Sequence, residues 1–331
     1  MPTSNLPAAL IDRFDRKIDY LRLSVMDRCD LRCHYCLPKG FRDFAEPAEW
    51  LNFDEITRVA KIFGELGVRR LRLTGGEPLL RKNLSRLVRS IRDLQLFDDI
   101  SLSTNATQLT QQAHELYEAG VSRLNISLDS LDPSMVQAIT GRDSLQSVMA
   151  GLDAAVATGF SPIKINMVVM AENMHEVPAM TEFCIKRGFV LRLIEAMPMG
   201  VTGAAAEFIN LSVLRERLVS QFNLIAQPTH VGGGPAQYWQ TADGKGSLGF
   251  ITPKSQHFCN TCNRVRLSTE GTLYLCLGQN DKVELGSLMR EGASDNELRA
   301  AIVSGISMKP EHHEFNEKPQ QVLRFMSKTG G

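Results

Sequence analysis

The sequence predicts an α/β fold, an incomplete (β/α)6 TIM-type barrel with a C-terminal α+β module covering its open side. Between about residues 19 and 195, short apolar runs alternate with amphipathic helical patterns, which is typical of βα units around a parallel sheet. Six such units suit an open barrel better than the eight units of a closed one. A doubly wound sheet fits the same periodicity and stays open as an alternative.

The barrel is predicted from six apolar runs, each followed by a helical pattern. The predicted strands are Tyr20–Val25, Arg69–Leu73, Ile100–Ser103, Arg123–Leu128, Ile163–Met170 and Val190–Ile194. Most of the helical patterns end close to a glycine, as helices commonly do. In either fold, ligands are expected beyond the carboxyl ends of the strands.

The regular alternation of strand and helix patterns ends after Met197, which predicts a smaller module from there on. A helical pattern is followed by the glycine-rich stretch HVGGGPAQYWQTADGKGSLGFITP, which contains short strand-like pieces. We therefore expect a barrel over residues 1–225 and a C-terminal module over residues 226–331. The small residues that end the chain would ordinarily be read as a frayed terminus.

Composition excludes several classes of partner. The chain has 331 residues, of which 43% are hydrophobic and 22% charged, as in ordinary globular proteins. Lys plus Arg equals Asp plus Glu at 37 each, so no global charge favours nucleic acid or a membrane surface. The N-terminal residues lack a signal-peptide core and no long apolar run follows, which predicts a cytoplasmic protein without membrane contact.

The cysteines form a metal-site pattern. Seven cysteines divide into a tight triplet, a looser triplet and one remaining residue, at positions 29, 33, 36, 184, 259, 262 and 276. They are too few and too clustered for a disulfide scaffold. Cys184 lies in an apolar helical pattern and is expected to be a small buried hydrophobe.

The first triplet, Cys29, Cys33 and Cys36, has C-x3-C-x2-C spacing directly after a predicted strand. Structural zinc requires four ligands, and His34 is a poor fourth ligand because it adjoins Cys33. A four-iron cluster held by three cysteines keeps one iron open, which can bind the amino and carboxylate groups of S-adenosylmethionine. The motif resembles the signature of the radical S-adenosylmethionine superfamily, and Tyr35 before the last cysteine also matches it.

Polar groups recur at the predicted strand ends. After the second strand, two glycines in TGGEP permit close backbone approach and Glu77 offers an acceptor for an ammonium group. The superfamily carries GGEP at this place, although a glycine pair alone more often marks a turn. The other strand ends present Ser103–Asn105, Ser127–Ser130, Lys164 with Asn166, and Glu195 with Met197. Together they suit one shared cavity, whereas each alone could be a helix N-cap.

The second triplet, Cys259, Cys262 and Cys276, also lacks an obvious fourth cysteine. His257 would complete a Cys3His zinc site, and spacing alone leaves that alternative open. Arg264 and Arg266 alternate after Cys262, so in a strand both would face one side. Such a pair suits a polyphosphate, and a solvated strand face is the alternative.

Taken together, the motifs resemble the GTP 3′,8-cyclase family of molybdenum cofactor biosynthesis. The resemblance covers nearly the whole chain, through DYLRLSVMDRCDLRCHYCLP, LRLTGGEPLLR, NISLDSLDP, ITGRDSLQSVMAGLDAA, GPAQYW, FCNTCNRVRLS, LYLCL and the terminal Gly-Gly. It implies two 4Fe-4S clusters, S-adenosylmethionine as cofactor and GTP as substrate. The implied product is (8S)-3′,8-cyclo-7,8-dihydroguanosine 5′-triphosphate, formed by hydrogen abstraction at ribose C3′ and attack on guanine C8.

The resemblance assigns roles by motif. The first cluster would be held by Cys29, Cys33 and Cys36, and the second by Cys259, Cys262 and Cys276. The S-adenosylmethionine site would comprise Tyr35, Gly76, Glu77, Ser127, Asn166 and Met197. GTP would be bound by Arg22, Arg72, Ser103, Lys164, Arg264 and Arg266. A catalytic role would fall to Arg264, Arg266, Gly330 and Gly331.

Two departures and two rival functions accompany the resemblance. Ala106 stands where the family often has glycine, and Leu37 replaces the usual methionine, which is a volume-conserving change. The rivals are a peptide-modifying radical enzyme with auxiliary clusters and a zinc-stabilised binding protein. A flavodoxin- or ferredoxin-like electron donor and a homodimer are further expectations, since the family often dimerises.

Overall fold

The computed structural model of the chain describes residues 9–227 and 233–330. The barrel strands are β1 (Tyr20–Met26), β2 (Arg70–Gly75), β3 (Asp99–Thr104), β4 (Arg123–Ser127), β5 (Ile163–Val169) and β6 (Val190–Glu195). All six predicted strands are therefore present, with ends that differ by at most two residues. The helices between them are α1 (Phe53–Glu65), α2 (Leu84–Asp93), α3 (Leu109–Ala119), α4 (Pro133–Thr140), α5 (Leu145–Thr158) and α6 (Val177–Arg187).

Local sequence explains where these helices begin and end. At the start of α1, the Asn52 side chain accepts from the Glu55 N–H and the Glu55 carboxylate accepts from the Asn52 N–H, which forms a capping box. Helices α3 to α6 each end at a glycine of positive φ, namely Gly120, Gly141, Gly159 and Gly188. Glycine favours this left-handed conformation, so the chain turns there into the next strand or helix.

The C-terminal strands extend both edges of the barrel sheet. They are β7 (Leu224–Gln227), β8 (Gln237–Thr241), β9 (Ser247–Ile251), β10 (Arg264–Leu267), β11 (Thr272–Tyr274) and β12 (Lys282–Glu284). The sheet order is β12-β11-β10-β1-β2-β3-β4-β5-β6-β9-β8-β7, and the eight strands from β10 to β9 are parallel. Within the described residues the sheet does not close on itself, so the predicted incomplete barrel is confirmed.

The remaining helices are α7 (Gly200–Ala205), α8 (Leu211–Phe222), α9 (Leu285–Arg290), α10 (Asp295–Ser307) and α11 (Met326–Thr329). Because β9 pairs with β6 and β10 pairs with β1, residues on either side of position 225 share one sheet. The division at residue 225 stays a prediction. Across the described ranges, no helix combines the length and apolar character needed to cross a lipid bilayer.

The two faces of the sheet differ in chemistry because side chains alternate along each strand. Leucines such as Leu21, Leu23 and Leu71 face the helices and belong to the main hydrophobic core. Cys184 is 1% exposed in the same core, as its apolar surroundings predicted. The opposite face carries polar and cationic residues, so burial of the outer face stabilises the barrel while the inner face is left for ligands.

Ala106, the departure noted from the sequence, is strained. It lies in the loop after β3 with a φ of 62°, a left-handed conformation that costs an L-residue about 1–2 kcal/mol. Ala106→Gly removes that strain at the cost of about 0.4–1 kcal/mol in unfolded-chain entropy. We expect the metal-free variant to gain about 0.5–1 kcal/mol, seen as a rise of about 2 °C in the thermal midpoint.

The matched control is Ala138→Gly, on the exposed face of α4, where glycine should lose about 1 kcal/mol. A midpoint for Ala106→Gly that falls as it does for Ala138→Gly would show that the methyl group contributes more packing than its backbone conformation costs.

Candidate active site

The inner face of the sheet concentrates positive charge. Seven cations, each at most 8% exposed, come from six neighbouring strands: Arg22, Arg72, Arg123, Lys164, Arg192, Arg264 and Arg266. Arg22 lies in register with Arg72 on one side and with Arg266 on the other. Like charges so close repel each other, and burial adds the loss of hydration.

The pKa values of these cations show both effects. Burial, reinforced by neighbouring cations, lowers the pKa of Arg72 to about 10, of Arg266 to about 9 and of Lys164 to about 7. Burial and Arg266 also hold the pKa of Arg22 well below its ordinary range. An anion placed among these groups would relieve the repulsion, so the arrangement is suited to a multiply charged ligand.

Carboxylate partners are scarce on this face. Asp99 forms an ion pair with Arg123, whose Nε donates over 2.8 Å. Among the described residues, Arg22, Arg264 and Arg266 have no carboxylate partner. The Nε atoms of Arg22, Arg192 and Arg264 are buried and lack a hydrogen-bond partner there as well. Buried guanidinium donors left unsatisfied are costly, which indicates that a ligand completes the site.

The first cysteine triplet opens on a cavity of about 1250 Å³, including the space at its mouth. Cys29, Cys33 and Cys36 line it beside the end of β2, and the three thiols are free. Burial raises the pKa of Cys29 and of Cys36 to about 12, and that of Cys33 well above its usual value. Without a metal these thiols stay protonated, so binding a metal must release protons.

The glycine pair of TGGEP fits the cysteine loop closely. A Cβ on Gly76 would lie 2.3 Å from the Arg28 carbonyl oxygen, and the Gly76 N–H donates to the Met26 carbonyl over 2.6 Å. The end of β2 therefore packs directly on the chain that leads into Cys29. This contact explains the requirement for glycine and brings Gly76 to the cavity wall.

Glu77 acts behind that wall rather than at it. Its carboxylate is fully buried and accepts from the Thr104 hydroxyl at 2.7 Å and from the N–H groups of Asn105 and Leu79 at 2.7 and 3.0 Å. Burial raises the pKa of Glu77 to about 7. It thus fixes the loop after β3, and its expected contact with S-adenosylmethionine stays a prediction.

The other residues predicted for the cofactor line the same cavity. Tyr35, Ser127, Asn166 and Met197 all contribute to its wall. The Tyr35 hydroxyl donates to Asp129 over 2.8 Å, which ties the cysteine loop to the region that follows β4. These four residues, predicted from the sequence to share one site, therefore line one cavity in the structure.

The second triplet lies in a neighbouring cavity of about 850 Å³, with its open mouth included. Cys259, Cys262 and Cys276 line it together with five inner-face arginines: Arg22, Arg72, Arg192, Arg264 and Arg266. The two cavities share Asn166, Ile194 and Met197 in their walls. A ligand in one cavity would therefore meet a ligand in the other across these three side chains.

Local charge changes the chemistry of one thiol in this cavity. Burial alone would raise the pKa of Cys262, but Lys309 and Arg264 lower it to about 7. Lys309 is 1% exposed and its Nζ donates to the Leu275 carbonyl, next to Cys276. The centre therefore has resident positive charge that stabilises thiolates.

A possible single-ion site overlaps the second cysteine triplet. Among the described residues, one group of three potential ligands lies within reach of a single ion, and it includes Cys259. It consists of His257, Cys259 and His313, whose ligand atoms lie within 4.8 Å of one another. Cys259 could therefore bind a single ion together with two histidines, one of which is the His257 expected for a zinc site.

The expected GTP residues fall into three places. Arg22, Arg72, Arg264 and Arg266 line the second cavity, whereas Ser103 lines the first. Lys164 lines neither, and its Nζ lies 3.3 Å from the Tyr238 hydroxyl.

The terminal glycine pair is described only in part. Gly330 reaches the inner face, where its carbonyl accepts from Arg266, and a Cβ on Gly330 would lie 2.2 Å from Thr74. This region is therefore packed rather than frayed. Gly331 lies outside the described residues.

Sequence reasoning missed Arg192, although a signal for it existed. The pattern Leu-Arg-Leu occurs in β1, in β2 and again at residues 191–193 of β6, each time with leucines facing the helices. Arg192 donates to the Asn125 side chain over 2.6 Å and lines the second cavity. Lys309 and His313 were also missed, because the loop after α10 that carries them shows no such repeat.

Comparisons with known proteins match this chain over nearly its full length. A model of the radical S-adenosylmethionine superfamily matches residues 23–184, and a model named Molybdenum Cofactor Synthesis C matches residues 189–315. The GTP 3′,8-cyclase of Ectopseudomonas mendocina is 45% identical over 97% of this chain and 98% of its own length. That of Saccharophagus degradans is 40% identical over 98% of this chain and 99% of its own.

Solved structures support the fold. Streptococcus suis SuiB bound to S-adenosylmethionine superposes with a TM-score of 0.61 at 16% identity, covering 96% of this chain and 79% of SuiB. At this identity the likeness concerns the fold alone.

Thiol reactivity in the metal-free protein tests the charge distribution. At pH 8 a thiol of pKa about 7 is about nine-tenths thiolate, whereas one of pKa about 12 is ionised about once in ten thousand. We expect iodoacetamide to label Cys262 first, and its labelling rate to fall as the pH drops below about 7. Mass spectrometry of tryptic peptides gives the rate at each cysteine.

Cys184, whose pKa burial raises to about 12, is the internal control and should remain unlabelled. Labelling of Cys29 or Cys36 as fast as Cys262 would contradict the described difference between the two cavities.

Proposed function

The chain belongs to the GTP 3′,8-cyclase family of radical S-adenosylmethionine enzymes, and we propose that its two adjoining cavities hold the two reactants. It converts GTP to (8S)-3′,8-cyclo-7,8-dihydroguanosine 5′-triphosphate, the first step of molybdenum cofactor biosynthesis. S-adenosylmethionine and an iron–sulfur cluster are its cofactors. The proposal states which side chains bind S-adenosylmethionine and which bind GTP. Its main support is that the two cavities share three residues of their walls.

S-adenosylmethionine is assigned to the first cavity. Cys29, Cys33 and Cys36 are its only cysteines among the described residues, and three free thiols around an open space fit a cluster with one open iron. When bound, that cluster supplies the electron that cleaves the carbon–sulfur bond of S-adenosylmethionine. Tyr35, Gly76, Ser127, Asn166 and Met197 then orient the cofactor from the wall, while Glu77 holds the adjacent loop.

GTP is assigned to the second cavity on grounds of charge. A triphosphate carries about four negative charges, and five arginines line this cavity with several donors unsatisfied. Fork-shaped guanidiniums bind phosphate oxygens in pairs and thereby fix the orientation of the nucleotide. Arg22, Arg72, Arg192, Arg264 and Arg266 are the side chains proposed for this role, with Lys164 behind them.

Positioning is the chief contribution of these residues to the reaction. Binding in adjacent cavities converts an encounter of two molecules into a reaction within one complex, which is worth several powers of ten in rate. Asn166 and Met197 lie in both walls and so bound the space where ribose and cofactor would meet. Buried surroundings exclude water, which protects reactive species from quenching.

A second 4Fe-4S cluster, on Cys259, Cys262 and Cys276, is part of the proposal. These thiols are free and line the arginine cavity, and Lys309 and Arg264 favour the thiolate form of Cys262. His257 and His313 lie close enough to Cys259 to hold a single ion with it, so the cluster is proposed from the family resemblance and not from ligand spacing. The zinc-stabilised binding protein and the peptide-modifying enzyme are not favoured, since full-length relatives are GTP 3′,8-cyclases.

Several wider features belong to the same proposal. Residues 1–225 would form the catalytic barrel and residues 226–331 the module that presents the nucleotide. Gly330, held by Arg266, would reach the substrate, with Gly331 beyond it. Ser103 would contact GTP from the neighbouring cavity wall. A flavodoxin- or ferredoxin-like protein would donate electrons to a cytoplasmic enzyme, and a homodimer is expected by family resemblance.

Anaerobic reconstitution with iron and sulfide tests the function. The loaded protein is incubated with dithionite, S-adenosylmethionine and each nucleoside triphosphate in turn, and products are separated by chromatography. We expect 5′-deoxyadenosine and a cyclised nucleotide to form with GTP and not with ATP, CTP or UTP. Cleavage of S-adenosylmethionine without consumption of GTP would keep the superfamily chemistry and reject the substrate.

The same assay tests the proposed arginines with a matched pair of variants. Arg192→Ala removes a buried cation of the second cavity, whereas Arg187→Ala removes a half-buried arginine at the end of α6, paired with Asp153 and outside both cavities. We expect the first variant to raise the KM for GTP about tenfold or more, because a charge-assisted contact is worth about 1.5–3 kcal/mol. The second should behave as the wild type, and equal effects would reject the nucleotide assignment.

A further inference from the structure

One arginine outside the two cavities links them through the C-terminal segment, residues 321–330, here called the strap. Arg324 Nη2 donates to the backbone carbonyls of Cys276 at 3.0 Å, Gln279 at 2.8 Å and Leu277. Its Nη1 donates to the Asn280 side chain over 2.9 Å. The strap is thus fastened to the loop that carries the last cysteine of the second triplet.

The chemistry of this contact is specific to arginine. A guanidinium presents five donors in a rigid fork and accepts nothing, so it can satisfy several carbonyls of one curved loop at once. Its plane also lies 4.4 Å from the centre of the Tyr274 ring. The adjacent Leu323 is 74% exposed and makes no comparable contact. The Gln321 carbonyl also accepts from the Asn280 side chain over 3.1 Å, and Arg324 supplies the other polar contacts that attach the strap to the cysteine loop.

The residues after Arg324 cover the first cavity. Phe325 packs on Phe41 with 4.8 Å between ring centres, and a Cβ on Gly200 would lie 2.6 Å from the Phe325 ring. Met326 and Ser327 line the cavity of the first triplet. The Ser327 backbone lies close enough to Cys36 to offset part of the rise that burial causes in the pKa of this thiol. One short segment therefore touches the chain beside Cys276 at one end and the Cys36 ligand atom further on.

The end of the strap returns to the inner face. Thr329 is fully buried, and the carbonyls of Thr329 and Gly330 accept from the Arg266 guanidinium. Strap, first cavity and arginine cavity therefore share a continuous set of contacts. If the loop around Cys276 were disordered, Arg324 would lose its carbonyl partners and this end of the strap would be less firmly attached.

We propose that Arg324 is a positioning residue that makes closure of the strap over the first cavity depend on an ordered second metal centre. The inference rests on the proposed second cluster, since a bound metal would fix Cys276 and with it the three carbonyls that Arg324 holds. An enzyme lacking that centre would leave its first cavity open to solvent. Cleavage of S-adenosylmethionine would then be uncoupled from conversion of GTP.

Hydrogen–deuterium exchange under anaerobic conditions tests this directly in the reconstituted full-length protein. The strap amides of residues 325–330 are compared in wild type, Arg324→Ala, Cys276→Ala and the control Leu323→Ala. We expect exchange at least about tenfold faster in both variants, because Arg324→Ala loses the guanidinium that holds the loop carbonyls and Cys276→Ala loses the metal ligand that would fix them. Leu323→Ala, which changes an exposed neighbour in the same strap, should match the wild type.

Product ratios supply a second readout. Arg324→Ala should retain the iron of the first triplet and form 5′-deoxyadenosine, with about tenfold less cyclised product per cleavage event. Wild-type exchange of the strap in Arg324→Ala would overturn the anchoring role. Slow exchange in Cys276→Ala, together with loss of the second iron centre, would overturn its dependence on metal.

Iron analysis tests the second cluster separately from the anchoring role of Arg324. A wild-type protein holding about four rather than eight iron atoms would argue against the second cluster. The comparison of Arg324→Ala with Leu323→Ala would still report whether Arg324 holds the strap.

Discussion

Unpaired positive charge on the inner face of the sheet is the constraint around which this protein is built. Register across β10, β1 and β2 places Arg266, Arg22 and Arg72 side by side, with burial opposing their charge. A fold can hold such a cluster only if the apolar outer face supplies the stability and an anion relieves the repulsion. The leucines that alternate with these arginines provide the apolar face, and the triphosphate proposed to bind here would provide the anion. Under this proposal, folding and substrate recognition use opposite faces of the same strands.

The two cysteine triplets differ in the charges that surround their thiols. Around Cys29 and Cys36, burial raises the thiol pKa to about 12, so the metal itself must displace the protons. Around Cys262, Lys309 and Arg264 offset burial, and the thiol ionises near neutral pH. Arg264, one of the arginines proposed to bind the triphosphate, therefore also favours the thiolate form of Cys262. This shared dependence on charge supports the proposal that the nucleotide and a second metal centre occupy one cavity.

Much of this architecture is readable from sequence, because strand periodicity and cysteine spacing are local. The six barrel strands follow from the apolar runs, the cavity-lining positions of Ser127, Asn166 and Met197 from residues near strand ends, and that of Tyr35 from the cysteine motif. Arg192 could have been found from the repeated Leu-Arg-Leu pattern. Lys309 and Arg324 could not, because their roles depend on carbonyls tens of residues away in the chain. The sequence likewise pointed to Glu77 as a site residue, but it could not show that the Thr104 hydroxyl and the N–H groups of Leu79 and Asn105 donate to its carboxylate.

The central claim is that two metal centres face one nucleotide across a cationic cavity. A crystal structure of the anaerobically reconstituted protein with S-adenosylmethionine and GTP, recorded at the iron absorption edge, tests it most directly. The account predicts one anomalous iron peak within reach of Cys29, Cys33 and Cys36, and a second beside Cys259, Cys262 and Cys276. The triphosphate should lie against Arg22, Arg72, Arg192 and Arg264. A single iron peak, or a nucleotide bound away from these arginines, would contradict it.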